Sequence, residues 1–125
     1  MLAAQAIASP GTLLDEDTIR TTLHAGLDGR FTGAKVLVLI PDHTRTLPLP
    51  ALFRLAVEVL ADTHQLDFMV ALGTHPSLDD ASLLKLVGIT AEERTTTYRH
   101  IGLLNHTWDD PDALTEIGVL PREQV

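Results

Sequence analysis

The sequence predicts an α/β fold, a Rossmann-like three-layer α/β/α arrangement around a short, mainly parallel and incomplete sheet. Two observations carry the fold class and a third places a site on it. Three short apolar runs, at residues 35–40, 66–72 and 98–104, are separated by segments with helical periodicity. A strand, helix, strand alternation of this kind calls for parallel strands joined by right-handed crossovers. Each run is followed at once by a polar stretch: Asp42-His43-Thr44-Arg45, Gly73-Thr74-His75-Pro76 and Asn105-His106-Thr107-Trp108-Asp109-Asp110. All three stretches then share the edge beyond the carboxyl ends of the strands, where open α/β sheets bind their ligands.

The elements follow in order. Residues 1–14 are set apart from a domain of residues 15–125. They are small and apolar as far as Pro10-Gly11, and read either as an edge strand or as a disordered lead-in. Asp15, Glu16 and Asp17 suit the positive end of a helix dipole. Ile19, Leu23 and Leu27 recur every fourth residue, so residues 15–27 read as an amphipathic helix ending near Gly29. The run Lys35-Val-Leu-Val-Leu-Ile40 has no polar alternation, which is the mark of a strand covered on both faces. Pro41 and Pro48 bound a loop. Leu52, Leu55, Ala56, Val59 and Leu60 then follow the spacing of a buried helix face, giving a helix over 50–63. Leu66 to Leu72 is the second strand and stops at Gly73. Ser77-Leu-Asp-Asp80 resembles a capping box, opening a helix over Leu83, Leu84 and Val87 that ends at Gly88. Thr90-Ala-Glu-Glu93 opens one more short turn. Tyr98 to Leu104 is the third strand, weakened by Arg99 and His100 at its start.

Composition narrows the function. A chain of 125 residues forms one domain with a real core. Its 45% hydrophobic and 21% charged residues exclude a disordered chain. Nine basic residues stand against 17 acidic ones, for a net charge of -8, and no basic cluster offsets it. A nucleic-acid partner is therefore not expected. The absence of cysteine removes disulfides and thiolate metal sites and fits a cytoplasmic location. No apolar stretch is long enough to span a bilayer, so no membrane partner is expected, and the first residues lack the basic start of a secretion signal. No glycine-rich dinucleotide fingerprint, no phosphate-cradling loop with a lysine and no Gly-x-Ser-x-Gly turn is present.

The candidate chemistry lies in the polar stretches. Arg45 offers a planar fork for a carboxylate or phosphate. Asp42 either orients an imidazole or pairs with Arg45. His75 follows Gly73, where a ligand can come close to the backbone, and histidine suits proton transfer near neutral pH. Asn105 and Asp109 read as turn formers, and Trp108 as a pin between loop and core. His24, His64 and His100 read as surface or capping residues. The two lysines, Lys35 and Lys85, sit on a strand start and on a helix, and neither reads as a Schiff base.

The stretches Val36-Leu-Val-Leu-Ile-Pro-Asp-His-Thr-Arg45, Ala71-Leu-Gly-Thr-His-Pro76 and Asn105-His106 resemble, in order and spacing, the amino-terminal part of the nickel-dependent lactate racemase family. The likeness covers roughly residues 33–120, about a quarter to a third of such a racemase. It implies a nickel-pincer nucleotide as hydride acceptor in the complete enzyme, and a 2-hydroxy acid as substrate. It implies that Arg45 holds the substrate carboxylate, that Asp42 organises the site and that His75 is one of two acid/base histidines. Thr44, Gly73 and Thr74, from the same motifs, are then cofactor-side positions. The family often has arginine where this chain has Pro76. Its second catalytic histidine, its cofactor-anchoring lysine and its nickel-ligating histidine lie downstream and match nothing here. This chain alone is accordingly expected neither to hold the cofactor nor to racemise substrate, and to contain no metal site.

Two other readings stand beside this one. His43, His75 and His106, with Asp42 or Asp109, have the composition of a hydrolase metal site. Alternatively, the chain is a non-catalytic remnant, or a subunit that needs a partner or the remainder of a longer chain. A three-stranded parallel sheet leaves an open edge, so self-association through that edge is expected as well.

Overall fold

The structure, a computed structural model, describes residues 2–124. Its elements run α1 (Glu16–Leu27), β1 (Lys35–Ile40), α2 (Leu49–Val59), β2 (Gln65–Val70), α3 (Asp80–Val87), α4 (Ala91–Thr95) and β3 (Ile101–Asn105), with short 3-10 turns at Pro111–Ala113 and Arg122–Gln124. The three strands form one parallel sheet in the order β1-β2-β3. The expected α/β class with a short, parallel and open sheet is what the chain adopts. Residues 2–14 carry no helix or strand.

The register explains which residues are buried. Val36 pairs with Leu66 and on to Ile101, Val38 with Phe68 and Leu103, and Ile40 with Val70 and Asn105. Side chains alternate faces along a strand, so these positions share one face. That face packs on α2 and α3. Phe53 of α2 lies 4.8 Å from the Phe68 ring and 5.3 Å from Tyr98, and Leu66, Val70, Leu83, Val87 and Ile101 close the core around them.

The opposite face is where the three-layer arrangement is incomplete. Leu37, Leu39 and Leu104 alternate with the core positions, and all three are exposed, Leu37 to 51% and Leu39 to 65%. The leucine-rich run 35–40 was read as a strand covered on both faces. In this chain it is covered on one, because both crossovers bring their helices to the same side of the sheet. β1 and β3 are the outer strands, with no further strand beyond either among the described residues.

Element ends differ from the sequence reading in four places. The second strand runs Gln65–Val70 and stops short of Leu72, whose carbonyl instead accepts from the His75 amide in the following turn. The third strand starts at Ile101, not Tyr98. The Ile101 amide donates to the Tyr98 carbonyl (3.1 Å), and Arg94 donates to the same oxygen (2.8 Å), so Tyr98 enters the core from a turn. The helix over 80–87 is capped by Asp79 and not by Ser77: the Asp79 carboxylate accepts from the Ser82 amide at 2.8 Å. The second helix stops at Val59, short of residue 63. Gly88 ends α3 as expected, with φ at +73°. A β-carbon there would also lie 2.6 Å from Pro50, so glycine is required both by conformation and by the close approach of α2.

Candidate functional site

Past the strand ends, the ladder continues for one more bond on each side. The Ala71 amide donates to the Ile40 carbonyl (2.9 Å) and the His106 amide to the Val70 carbonyl (3.1 Å). The three polar stretches therefore leave the sheet side by side. The first two then fold back in the same way. The Arg45 amide bonds the Asp42 carbonyl and the His75 amide bonds the Leu72 carbonyl, each a tight turn of four residues. Gly73 stands in the second turn with φ at +61°, a left-handed conformation that costs a branched or bulky residue most.

Asp42 is the one buried charged or polar residue among those described, at 6% exposure. One of its oxygens accepts from both the amide (3.0 Å) and the hydroxyl of Thr44. Its other oxygen lies 3.1 Å from His75 Nδ1. The Thr44 hydroxyl above all, then the Thr44 amide and the nearby imidazoles of His75 and His43, hold the Asp42 carboxyl below its usual pKa against the opposing push of burial. At neutral pH it is a carboxylate. Arg45, the other candidate partner, makes no ion pair with it among the described residues.

His75 Nδ1 faces a second acceptor, the Leu72 carbonyl at 3.1 Å. A nitrogen between two acceptors carries the proton. Neutral His75 is thus the Nδ1–H tautomer, and its Nε2 is left with a free lone pair. The side chain is about half exposed. A buried carboxylate that fixes one imidazole nitrogen and frees the other is the arrangement of a general base.

Asp42, Thr44, Arg45, Gly73, Thr74 and His75 line one hollow of about 320 Å³, with Pro41, Ala71 and Leu72 behind them. All six residues read from the motifs as catalytic, substrate-binding or cofactor-side positions are brought together there.

The third stretch braces the second. Asn105 at the end of β3 makes two bonds to Leu78, accepting from its amide and donating to its carbonyl, both at 2.9 Å. The Trp108 indole donates to the His75 carbonyl at 2.9 Å. The main chain of the loop carrying His75 is therefore held by two side chains of the third stretch. Asn105→Ala leaves two partly buried backbone groups unpaired and is expected to lower unfolding free energy by about 1–3 kcal/mol. Amide exchange should accelerate across 73–79 more than in β2, a pattern that urea unfolding with hydrogen exchange would show.

A metal site of His43, His75 and His106 is not formed. Among the described residues no three His, Asp or Glu side chains gather closely enough to hold an ion. Asp109 and Asp110 lie in the following loop, where Asp110 accepts from the Asp112 amide and starts a 3-10 turn. No helix among the described residues is long and apolar enough to cross a membrane.

A family model described as the lactate racemase N-terminal domain matches residues 15–124. Among solved structures, the chain is similar to a Thermotoga maritima protein determined by a structural genomics consortium, with a TM-score of 0.71 and 27% identity over 88% of this chain. The chain spans 26% of the length of that protein. No curated protein matches the chain significantly in sequence.

Proposed function

The chain belongs to the lactate racemase N-terminal domain family, and on that premise we propose that it is the amino-terminal module of a 2-hydroxy acid racemase or epimerase. In this reading the module holds the substrate carboxylate and supplies one acid/base histidine. The observation that carries it is the Asp42–His75 pair, which shares one hollow with an Arg45 that makes no ion pair among the described residues.

Arg45 meets the substrate carboxylate with its planar pair of donors and fixes the position of the 2-hydroxyl. His75 Nε2 takes the hydroxyl proton as the hydroxyl carbon becomes a carbonyl, and returns it when the carbon is reduced from either face. Asp42 stabilises the imidazolium formed in between. Thr44, through its bonds to Asp42, keeps that carboxylate aimed at Nδ1.

By the family resemblance, the hydride acceptor in the complete enzyme is a nickel-pincer nucleotide. The residues of this chain do not fit a nickel site of their own. No three donors cluster among those described, and neither lysine borders the hollow that holds His75. The metal donors and the cofactor anchor then belong to the remainder of a longer chain or to a second subunit. The uncovered leucines of β1 and β3 supply a surface for such a partner, or for a second copy of the chain. The absence of cysteine and the lack of a membrane helix among the described residues suit a cytoplasmic enzyme.

The test is a chirality assay on single enantiomers of lactate and larger 2-hydroxy acids. The isolated chain is expected to leave optical rotation unchanged and to retain no stoichiometric nickel after dialysis. Combined with the downstream part of a family racemase loaded with its cofactor, it should restore racemisation. Turnover by the chain alone, or no turnover with the downstream part present, would overturn the reading.

A further inference from the structure

A second cleft, of about 450 Å³, adjoins the hollow that holds His75. Pro41, Asp42 and Arg45 border both. The cleft runs from the loop after β1, where His43 lines it, to the side of α3, where Ser82 and Lys85 meet it. Its remaining walls are apolar, chiefly Leu47, Leu78 and Leu86.

We propose that this cleft takes the far end of the substrate: a 2-hydroxy acid whose carbon chain lies along these leucines and ends in a second carboxylate at Lys85. The inference rests on the placement of the first carboxylate at Arg45 proposed above.

The charge pattern supports it. The chain carries a net charge of -8 and has two lysines. One of them borders this cleft with no ion pair among the described residues, and so does Arg45. The only acid in the lining is Asp42. Both of its oxygens are already engaged, by Thr44 and by His75. A mixed cleft whose cations are free and whose single carboxylate is occupied selects an anionic group with an apolar spacer. The overall negative charge of the protein repels dianions, so any preference for one must arise locally.

Amide chemical shifts of the full chain would be followed during titration with lactate, 2-hydroxyhexanoate and 2-hydroxyadipate. The last two have the same number of carbons and differ in the terminal carboxylate. We expect 2-hydroxyadipate to bind roughly tenfold more tightly than 2-hydroxyhexanoate, the effect of one charge-assisted hydrogen bond. It should perturb residues 82–86 as well as 73–75. Lys85→Ala should abolish the preference and Lys85→Arg keep it. Lys35→Ala, an equal loss of charge at the start of β1, should leave it intact. Equal binding of the two six-carbon acids, with shifts confined to 73–75, overturns the inference and leaves the carboxylate at Arg45 standing. Loss of the preference in Lys35→Ala also overturns it. If no acid perturbs 73–75, the carboxylate placement falls and the inference with it.

Discussion

His75→Gln, introduced into the assembled racemase, is expected to lower the racemisation rate by about 10²–10⁴-fold, the range removed with a general acid or base. Glutamine can still donate to Asp42 and fills similar space, but it cannot take up the hydroxyl proton. On the proposed placement of the substrate carboxylate at Arg45, KM should change little while kcat falls. That split separates loss of proton transfer from loss of binding. Arg45→Ala should show the reverse weighting, with KM rising. Folding is not at stake in the first variant, because the His75 side chain is about half exposed. Unchanged turnover in His75→Gln would remove histidine from the chemistry.

Phe68→Ala is expected to cost about 3–5 kcal/mol of stability, the usual loss for a large aromatic side chain in a closed core. Phe68 is 1% exposed in the central strand, with Val38 and Leu103 beside it in register and the Phe53 ring against it. Domains of this size are commonly stable by about 5–15 kcal/mol, so the variant loses a large part of the total. Leu39→Ala, one position along on the paired strand β1 but on the other face, removes a side chain that is already 65% exposed. Its cost in the isolated chain should stay within about 0.5 kcal/mol. Urea unfolding of the two variants tests the one-sided helical layer. Equal losses would mean that the leucine face is also covered in solution, by a second copy or otherwise.

The difference between those two positions shows where sequence reading reached its limit. Leu37 and Leu39 read as buried because an unbroken apolar run looks the same whether its second cover lies within the chain or outside it. The helical segments were legible from leucine spacing, and the end of α3 from Gly88. The cap of α3 was misplaced by two residues, since Ser77 and Asp79 are both capping residues. A long-range tie from Asn105 to Leu78 holds the loop that leads into Asp79. Tyr98 looked like part of a strand because it is aromatic and apolar. It is buried from a turn, and that turn is made by Arg94 and Ile101, not by local propensity.

That these residues would be neighbours was legible, because parallel strands put every following loop on one edge. Which of them touch was not. Asp42 had two candidate partners, and the choice of His75 over Arg45 follows from the fold-back of the Gly73 turn. The supporting bonds of Asn105 and Trp108 reach 27 and 33 residues back along the chain, with no local pattern to announce them. Lys85 read as an ordinary helix lysine. Its place on a cleft that Arg45 also lines is visible only once α3 is packed near the loop after β1.

The most direct test is the tautomer of neutral His75, read from proton–nitrogen correlations of the imidazole ring. Nδ1 should carry the proton and Nε2 the lone pair, and Asp42→Asn should weaken that bias. A proton on Nε2 in the unsubstituted chain would leave Asp42 with no donor to orient and His75 with no base to offer the substrate.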